Sequence, residues 1–232
     1  MDNQLLFKLF TNDFAALAVC SLLIIAYHVF LRRKVRKDPT YTVQAVNKIA
    51  RTAWVENIMA DEKNAVLAVQ TLRNSTMAAT FLASTSVLLI MGVLTLSEQE
   101  QKIEATWHAL NMLGAIHPVL WMVKLILMLA DLFVAFFAFS MAIRIYNHVG
   151  FQINVPLRMN HKMITPAHVA THLNRAGHFY SIGMRAYYFL VPLVFWLFGP
   201  HFMFIATLGL LLTLYRIDRS PRITALDFND VN

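Results

Sequence analysis

The sequence predicts an all-α membrane protein, a bundle of four to five transmembrane helices with amphipathic helices at the membrane surface. Its 232 residues are 58% hydrophobic and 14% charged, whereas soluble globular proteins carry about 25% charged residues. The hydrophobic residues fall in long runs, and about 20 apolar residues cross the roughly 30 Å of hydrocarbon in a bilayer. The last run is broken at Gly199-Pro200. We therefore predict a single integral membrane domain over residues 1–232.

The first crossing is predicted over residues 14–31, an apolar run that ends in a basic block. That block contains Arg32, Arg33, Lys34, Arg36 and Lys37. Basic residues accumulate on the cytoplasmic side of a membrane, so the block predicts an N-terminus on the outside. The residues before the run show no signal-peptide cleavage pattern, and we expect the run to stay in the membrane.

Helices at the inner membrane surface are predicted over residues 41–75 and 165–178. In the first region, apolar residues recur every three to five positions between charged ones, which is typical of an amphipathic helix. A second helix is predicted from about Asp61 into the membrane. A cytoplasmic helical hairpin that packs on itself fits the same periodicity and stays open. The second region begins at Thr165-Pro166, a pattern typical of a helix start.

The second crossing is predicted over residues 76–96 and carries small residues four positions apart. These are Ser75, Ala79 and Ala83, and small residues at this spacing let two helix backbones approach closely. We interpret them as helix-packing positions, with the partner helix expected in the same chain. A second subunit is the alternative.

The remaining crossings are predicted over residues 119–144, 179–198 and 201–215. The final run is followed by Arg216, Arg219 and Arg222. A hairpin at Gly199 returns these basic residues to the cytoplasmic side, so we favour five crossings with the C-terminus inside. One kinked helix, or a re-entrant pair, stays open because the last run is short.

Three ionisable residues lie within or beside the apolar runs: Lys124, Asp131 and Arg185. Charges at bilayer depth face protein or water rather than lipid. An Asp131–Arg185 pair would hold two helices in register, with Lys124 reaching to the outer interface. The functional alternative is a polar path for protons or ions around Asp131.

Histidines provide two candidate metal sites. His168 and His172 are four residues apart and share a helix face, a spacing that can bind zinc or copper. On the outer side, His108, His117 and His201 are accompanied by methionines, a combination suited to copper. Solvated or interfacial histidines are the alternative in both cases, and the sequence assigns no cofactor.

Several stretches together resemble a family of multi-pass membrane proteins of bacteria and plants catalogued as domain of unknown function 599. They are LRNS…FLAST within 68–90, AFFAF…IRIYN within 124–148, and GMRAYYF…WLFGP followed by LYRID within 174–218. The resemblance implies a helical membrane fold in a bacterial inner membrane. It implies no catalytic residues.

These observations favour a non-enzymatic scaffold, or an oligomer-forming or accessory subunit of a membrane complex. An ion, proton or small-solute transporter is the first alternative, and a metal- or quinone-dependent membrane enzyme is the second. The expected partners are the lipid bilayer and further membrane subunits, including copies of the same chain. The net charge of +7 lies mostly beside apolar runs, which is typical of membrane anchoring rather than nucleic-acid binding.

Overall fold

Six α-helices make up most of the residues that the computed structural model describes, 3–98, 117–157 and 162–221. They are α1 (Asn3–Lys37), α2 (Val43–Ala60), α3 (Ala65–Glu98), α4 (Pro118–Gln152), α5 (Pro166–Leu197) and α6 (Pro200–Ile217), with a short 3-10 turn (Glu62–Asn64) before α3. The predicted all-α class is confirmed.

Polar side chains cap two helix starts, and the cap at Thr165 is the one that the sequence predicts. The Thr165 hydroxyl accepts a hydrogen bond from the backbone N–H of His168, and Pro166 occupies the first turn of α5. Thr42 caps α2 in the same way. These bonds satisfy N–H groups that have no partner within the helix. The helices therefore begin at positions set by local sequence.

The last apolar run breaks at Gly199, as predicted. Gly199 has a φ of 136°, a backbone conformation that favours glycine, and Pro200 starts α6. Arg185 of α5 forms an ion pair with Asp218, which lies just after α6, at a distance of 3.0 Å. The end of α6 thus returns to the middle of α5. The two helices form a hairpin rather than one kinked helix.

Helix α4 occupies the centre of the bundle, between α3 and α5. Apolar cores run along its length, and the largest also includes α2. Val55, Ile58 and Met59 of α2 are buried in this core together with the first turns of α3 and α5 and the end of α4. Helix α2 therefore packs on other helices as well as on its own neighbour α3.

The first predicted surface region consists of the separate helix α2 and of turns that continue into the apolar helix α3, and the second region continues into α5. Residues 65–75 are the first turns of α3, and residues 166–178 are the first turns of α5. The reason is that one face stays apolar throughout, from Ala68 and Leu72 in α3 and from Val169 and Leu173 in α5. Each helix continues without a break into its later apolar part.

Four helices are long and apolar enough to cross a membrane, within the described part of the chain. They cover Thr11–Lys37, Ala65–Ser97, Pro118–Gln152 and Pro200–Ile217. Large apolar side chains point away from the bundle, and Phe81 has 73% of its surface exposed, which is expected of a surface that faces lipid. This is a multi-pass membrane fold. Helix α5 carries Arg175 and Arg185 and is not among the four, so the five-crossing arrangement stays a prediction.

Candidate functional site: two polar clusters between the helices

Lys124 lies at the centre of a buried polar cluster near the Gly199 end of the bundle. Its ammonium group is 3.3 Å from the Asp13 carboxylate and donates a 3.0 Å hydrogen bond to the backbone carbonyl of Trp196. The Trp196 indole N–H in turn donates to the same carboxylate oxygen, at 2.7 Å. We call Asp13, Lys124 and Trp196 the Asp13 cluster. It joins α1, α4 and α5.

The predicted reach of Lys124 to the outer interface stays a prediction. Its side chain is enclosed by protein, with only 3% of its surface exposed. The physical reason is the end of α5, where the backbone carbonyls of the last turn carry partial negative charge. The Trp196 carbonyl belongs to this last turn. The ammonium group of Lys124 is held by this carbonyl and by the Asp13 carboxylate.

Arg185 lies at the centre of a second polar cluster. One of its nitrogens donates to both carboxylate oxygens of Asp218, at 3.0 and 3.1 Å, and another is 2.6 Å from Nε2 of His28. The Tyr27 hydroxyl donates to Asp218 at 2.9 Å. We call Tyr27, His28, Arg185 and Asp218 the Arg185 cluster. It joins α1 and α5 to the end of α6.

The geometry fixes the tautomer of His28. Its Nδ1 lies 2.8 Å from the backbone carbonyl of Ile24, which only accepts hydrogen bonds, so Nδ1 carries the proton. Nε2 faces the Arg185 guanidinium, which only donates, so Nε2 accepts. His28 is therefore neutral in this arrangement, and its ring fixes one side of Arg185.

The predicted Asp131–Arg185 pair is wrong, because Asp218 occupies the guanidinium. The hairpin at Gly199 brings Asp218 to Arg185 from α6, and sequence spacing within α4 gives no sign of this contact. Asp131 lies two turns after Lys124 on the same face of α4. Its Oδ2 is buried without a hydrogen-bond partner. Among the three predicted intramembrane residues, Lys124 and Arg185 are thus paired and Asp131 has an unbonded oxygen.

His168 and His172 stack beside one another in the first turns of α5, with ring centroids 4.5 Å apart. The pKa of His172 is lowered by partial burial and by repulsion from neighbouring positive groups, those of His168, Arg175 and His148. Within the described ranges, no set of three histidine, cysteine or acidic side chains converges as metal ligands. The metal site predicted for this pair therefore stays a prediction.

The site predicted from the outer histidines stays a prediction. His108 lies outside the described residues. His117 caps α4, where its Nδ1 accepts from the backbone N–H of Val119 at 3.2 Å. His201, in the first turn of α6, packs against Phe202 at 4.3 Å between ring centroids, and its Nδ1 is buried without a hydrogen-bond partner.

The small residues of α3 pack within the chain. Ala79 is fully buried, and Ala83 contacts a core that includes Ala135 and Phe139 of α4. Ser75 is half-buried, and its hydroxyl donates to the Thr71 carbonyl of its own helix. This stripe is covered by the protein's own helices.

Asp13 and Asp218 were not selected from the sequence as site residues. Asp13 directly precedes the first apolar run, and Asp218 follows the last run after Arg216 and Ile217. An acidic residue in that position is also typical of a solvated helix end. The sequence signal that points to such acidic partners is the presence of basic residues within the apolar runs, since buried charges require partners.

The family comparison covers most of the chain. A family model described as "Protein of unknown function, DUF599" matches residues 15–223. The chain belongs to the DUF599 family. No curated protein and no solved structure matches it. In this DUF599 protein the matched stretch contains all of the Arg185 cluster, whereas Asp13 of the other cluster precedes it.

Proposed function

We propose that this DUF599 protein is a non-enzymatic membrane scaffold or an accessory subunit of a larger membrane complex. The observation that supports this proposal is the pairing of the basic side chains buried between its helices. Lys124 is held by Asp13, and Arg185 by Asp218. Such pairs fix helices relative to one another. The two pairs attach α1 at positions about four turns apart, and two separate attachments are what a rigid support requires.

A second argument for a scaffold is the length of the central helices. Helices α3, α4 and α5 have 34, 35 and 32 residues, or about 48–53 Å at 1.5 Å per residue. About 30 Å suffices to cross the hydrocarbon. The extra turns of all three pack with α2 around the core that contains Val55 and Leu173. This layer would form a platform at the membrane surface to which another subunit could dock.

The proposed orientation has the N-terminus outside and the C-terminus inside, in a bacterial inner membrane. Supporting it, the Arg185 cluster brings the end of α1 close to the end of α6. The basic block after residue 31 and the exposed Arg216 and Arg219 are therefore at the same end of the bundle. Basic residues favour the cytoplasmic side.

The scaffold proposal is tested by crosslinking in native membranes, followed by purification in a mild detergent and mass measurement of the complex. We expect the chain in an assembly of fixed stoichiometry, formed with copies of itself or with other membrane subunits. Since the chain covers the small residues of α3 itself, the contact would lie elsewhere. A protein that is purely monomeric both in membranes and in detergent would contradict the proposal.

A second candidate function, an ion or proton path, is favoured by Asp131. A buried carboxylate oxygen without a hydrogen bond is costly, and ionisable groups at membrane depth often line such paths. Proton and cation flux should be measured in liposomes containing the wild type, Asp131→Asn, or the control Asp61→Asn in the exposed turn before α3. Transport predicts flux that only Asp131→Asn abolishes. Equal flux in all three and in empty liposomes would exclude it.

A further inference from the structure

We propose that a groove between the end of α1 and the outer face of α2 binds an anionic phospholipid. The groove has a volume of about 490 Å³, within the usual range of ligand-binding pockets. Val35 and Pro39 form one wall, and Ala45, Ile49 and Ala53 form the other. These five residues offer the apolar surface that an acyl chain requires, and Lys48, Thr52 and Glu56 of α2 also line the groove.

The packing of α2 explains why this face is open. At its start, the backbone N–H of Val43 donates to the Asp218 carbonyl at 3.1 Å. In its middle, Arg51 donates to the Asn174 side chain of α5 at 2.9 Å. These contacts hold the opposite face of α2 on the bundle. The stripe of Ala45, Ile49 and Ala53, spaced four residues apart, is thus left for the groove.

The apolar stripe in the groove is not covered by protein in the described ranges. Ile49 has 54% of its surface exposed, and burying an exposed isoleucine against hydrocarbon is favourable. An acyl chain lying along the stripe would cover Ile49 and Ala53. The α2 side of the groove therefore exposes apolar surface that an apolar ligand would cover.

Charge at the α1 end of the groove selects the headgroup. Lys48 lines the groove itself, and Arg32 lies one turn before Val35 on the same face of α1. Four further exposed basic residues follow nearby, Arg33, Lys34, Arg36 and Lys37. Glu56, the acidic residue of the lining, is two turns away from Lys48 along α2. An anionic headgroup therefore fits beside Lys48 and the basic residues at the end of α1, with its acyl chain directed toward Ala53.

The depth of the groove points to lipid rather than to a soluble ligand. The basic block follows directly on the apolar run 14–31, so it lies at the level of the headgroups. Clusters of basic residues directly beside a membrane helix attract anionic lipid. At that level phospholipid is the most abundant amphiphile, and it carries both the charge and the chain that this groove accommodates.

Native mass spectrometry of the full chain in detergent tests the proposal, with phosphatidylglycerol and phosphatidylcholine of identical acyl chains as probes. We expect one phosphatidylglycerol to bind at least tenfold more tightly than phosphatidylcholine. Ile49→Trp fills the groove and should weaken this binding at least tenfold. The matched control is Ile126→Trp on the exposed face of α4, which should leave it unchanged.

A second variant separates the headgroup from the chain. Lys48→Gln combined with Arg32→Gln should remove the preference for phosphatidylglycerol while phosphatidylcholine binding stays the same. Both sites are exposed, so the fold should tolerate the changes, and circular dichroism confirms this. The proposal is overturned if neither lipid is preferred by the wild type. It is also overturned if Ile49→Trp and Ile126→Trp both bind phosphatidylglycerol as the wild type does. That result would mean that the lipid binds elsewhere, as is expected when a protein segment occupies the groove.

Discussion

Asp13 and Lys124 are both buried, with 0% and 3% of their surfaces exposed, and their charged atoms approach to 3.3 Å. Removing two charges from water costs several kcal/mol per ion, which the ion pair and the Trp196 hydrogen bonds must offset. When one partner is removed, the other stays buried without its counter-charge. Residues of this kind should thus tolerate double substitution better than single substitution.

Lys124→Met should lower the free energy of unfolding by about 3–5 kcal/mol, because it leaves the Asp13 carboxylate buried without its cation. The combination Asp13→Asn with Lys124→Met should cost less than the sum of the two single changes. Unfolding by SDS in mixed micelles measures these values as a double-mutant cycle.

The control for this prediction is Lys63→Met, at an exposed lysine in the turn before α3, where a change within about 0.5 kcal/mol is expected. Strictly additive effects of the Asp13 and Lys124 substitutions would contradict the pairing.

At the scale of the helices, α1 is held by polar contacts at two positions along its length. The Asp13 cluster fixes one position, and Tyr27 and His28 of the Arg185 cluster fix the other. Between them, Cys20 is fully buried beside Trp196 and Met203. Most of the remaining face of α1 is apolar and exposed, as in Leu22 and Ile25. The attachment of α1 thus depends on few contacts.

Cys20 is the single cysteine of the chain, so its reactivity reports whether α1 is docked. In the wild type, we expect labelling by N-ethylmaleimide to be slow. Asp218→Asn weakens the Arg185 cluster and should accelerate labelling about tenfold for each 1.4 kcal/mol of lost docking free energy. The labelling rate is followed by mass spectrometry. Equal rates in the wild type, in Asp218→Asn and in SDS-unfolded protein would show that α1 is not docked.

The contact between α4 and α5 is close at Gly183. A Cβ added there would lie 2.7 Å from the ring of Phe139, which is itself fully buried. Gly183→Ala should therefore destabilise the protein by about 1–3 kcal/mol through overpacking, measured by SDS unfolding.

The matched control is Gly92→Ala in α3, where no atom lies within 4 Å of the added Cβ. This substitution should stabilise the protein by about 0.5–1 kcal/mol, since alanine favours a helix over glycine. The prediction fails if both substitutions have the same effect.

For the whole molecule, the helices could be predicted from sequence and most of their contacts could not. Apolar runs, Thr165-Pro166 and Gly199-Pro200 determine where helices start and end through local chemistry. The partner of Lys124, by contrast, lies more than a hundred residues away in α1. Periodicity shows which face of a helix carries a charge, but it does not show which helix lies opposite that face. For this reason the predicted Asp131–Arg185 pair is wrong.

The orientation of the whole molecule gives a further prediction. A fluorescent protein fused after Asn232 should fluoresce in bacterial cells, and alkaline phosphatase at the same position should be inactive. The physical reason is that the basic residues at the ends of α1 and α6 stay in the cytoplasm. Active phosphatase with a dark fluorescent fusion would reverse the proposed orientation.

The 18 residues of α6 have a consequence for the membrane around it. At 1.5 Å per residue, α6 rises about 27 Å, slightly less than a typical bilayer core. A short apolar helix is accommodated by thinning of the bilayer around it, at a modest cost for each ångström of mismatch. Lipids with longer acyl chains would pull on the end of α6, where Asp218 binds Arg185. The thickness of the surrounding bilayer would thus affect the contact between Asp218 and Arg185 that holds the end of α6 on α5.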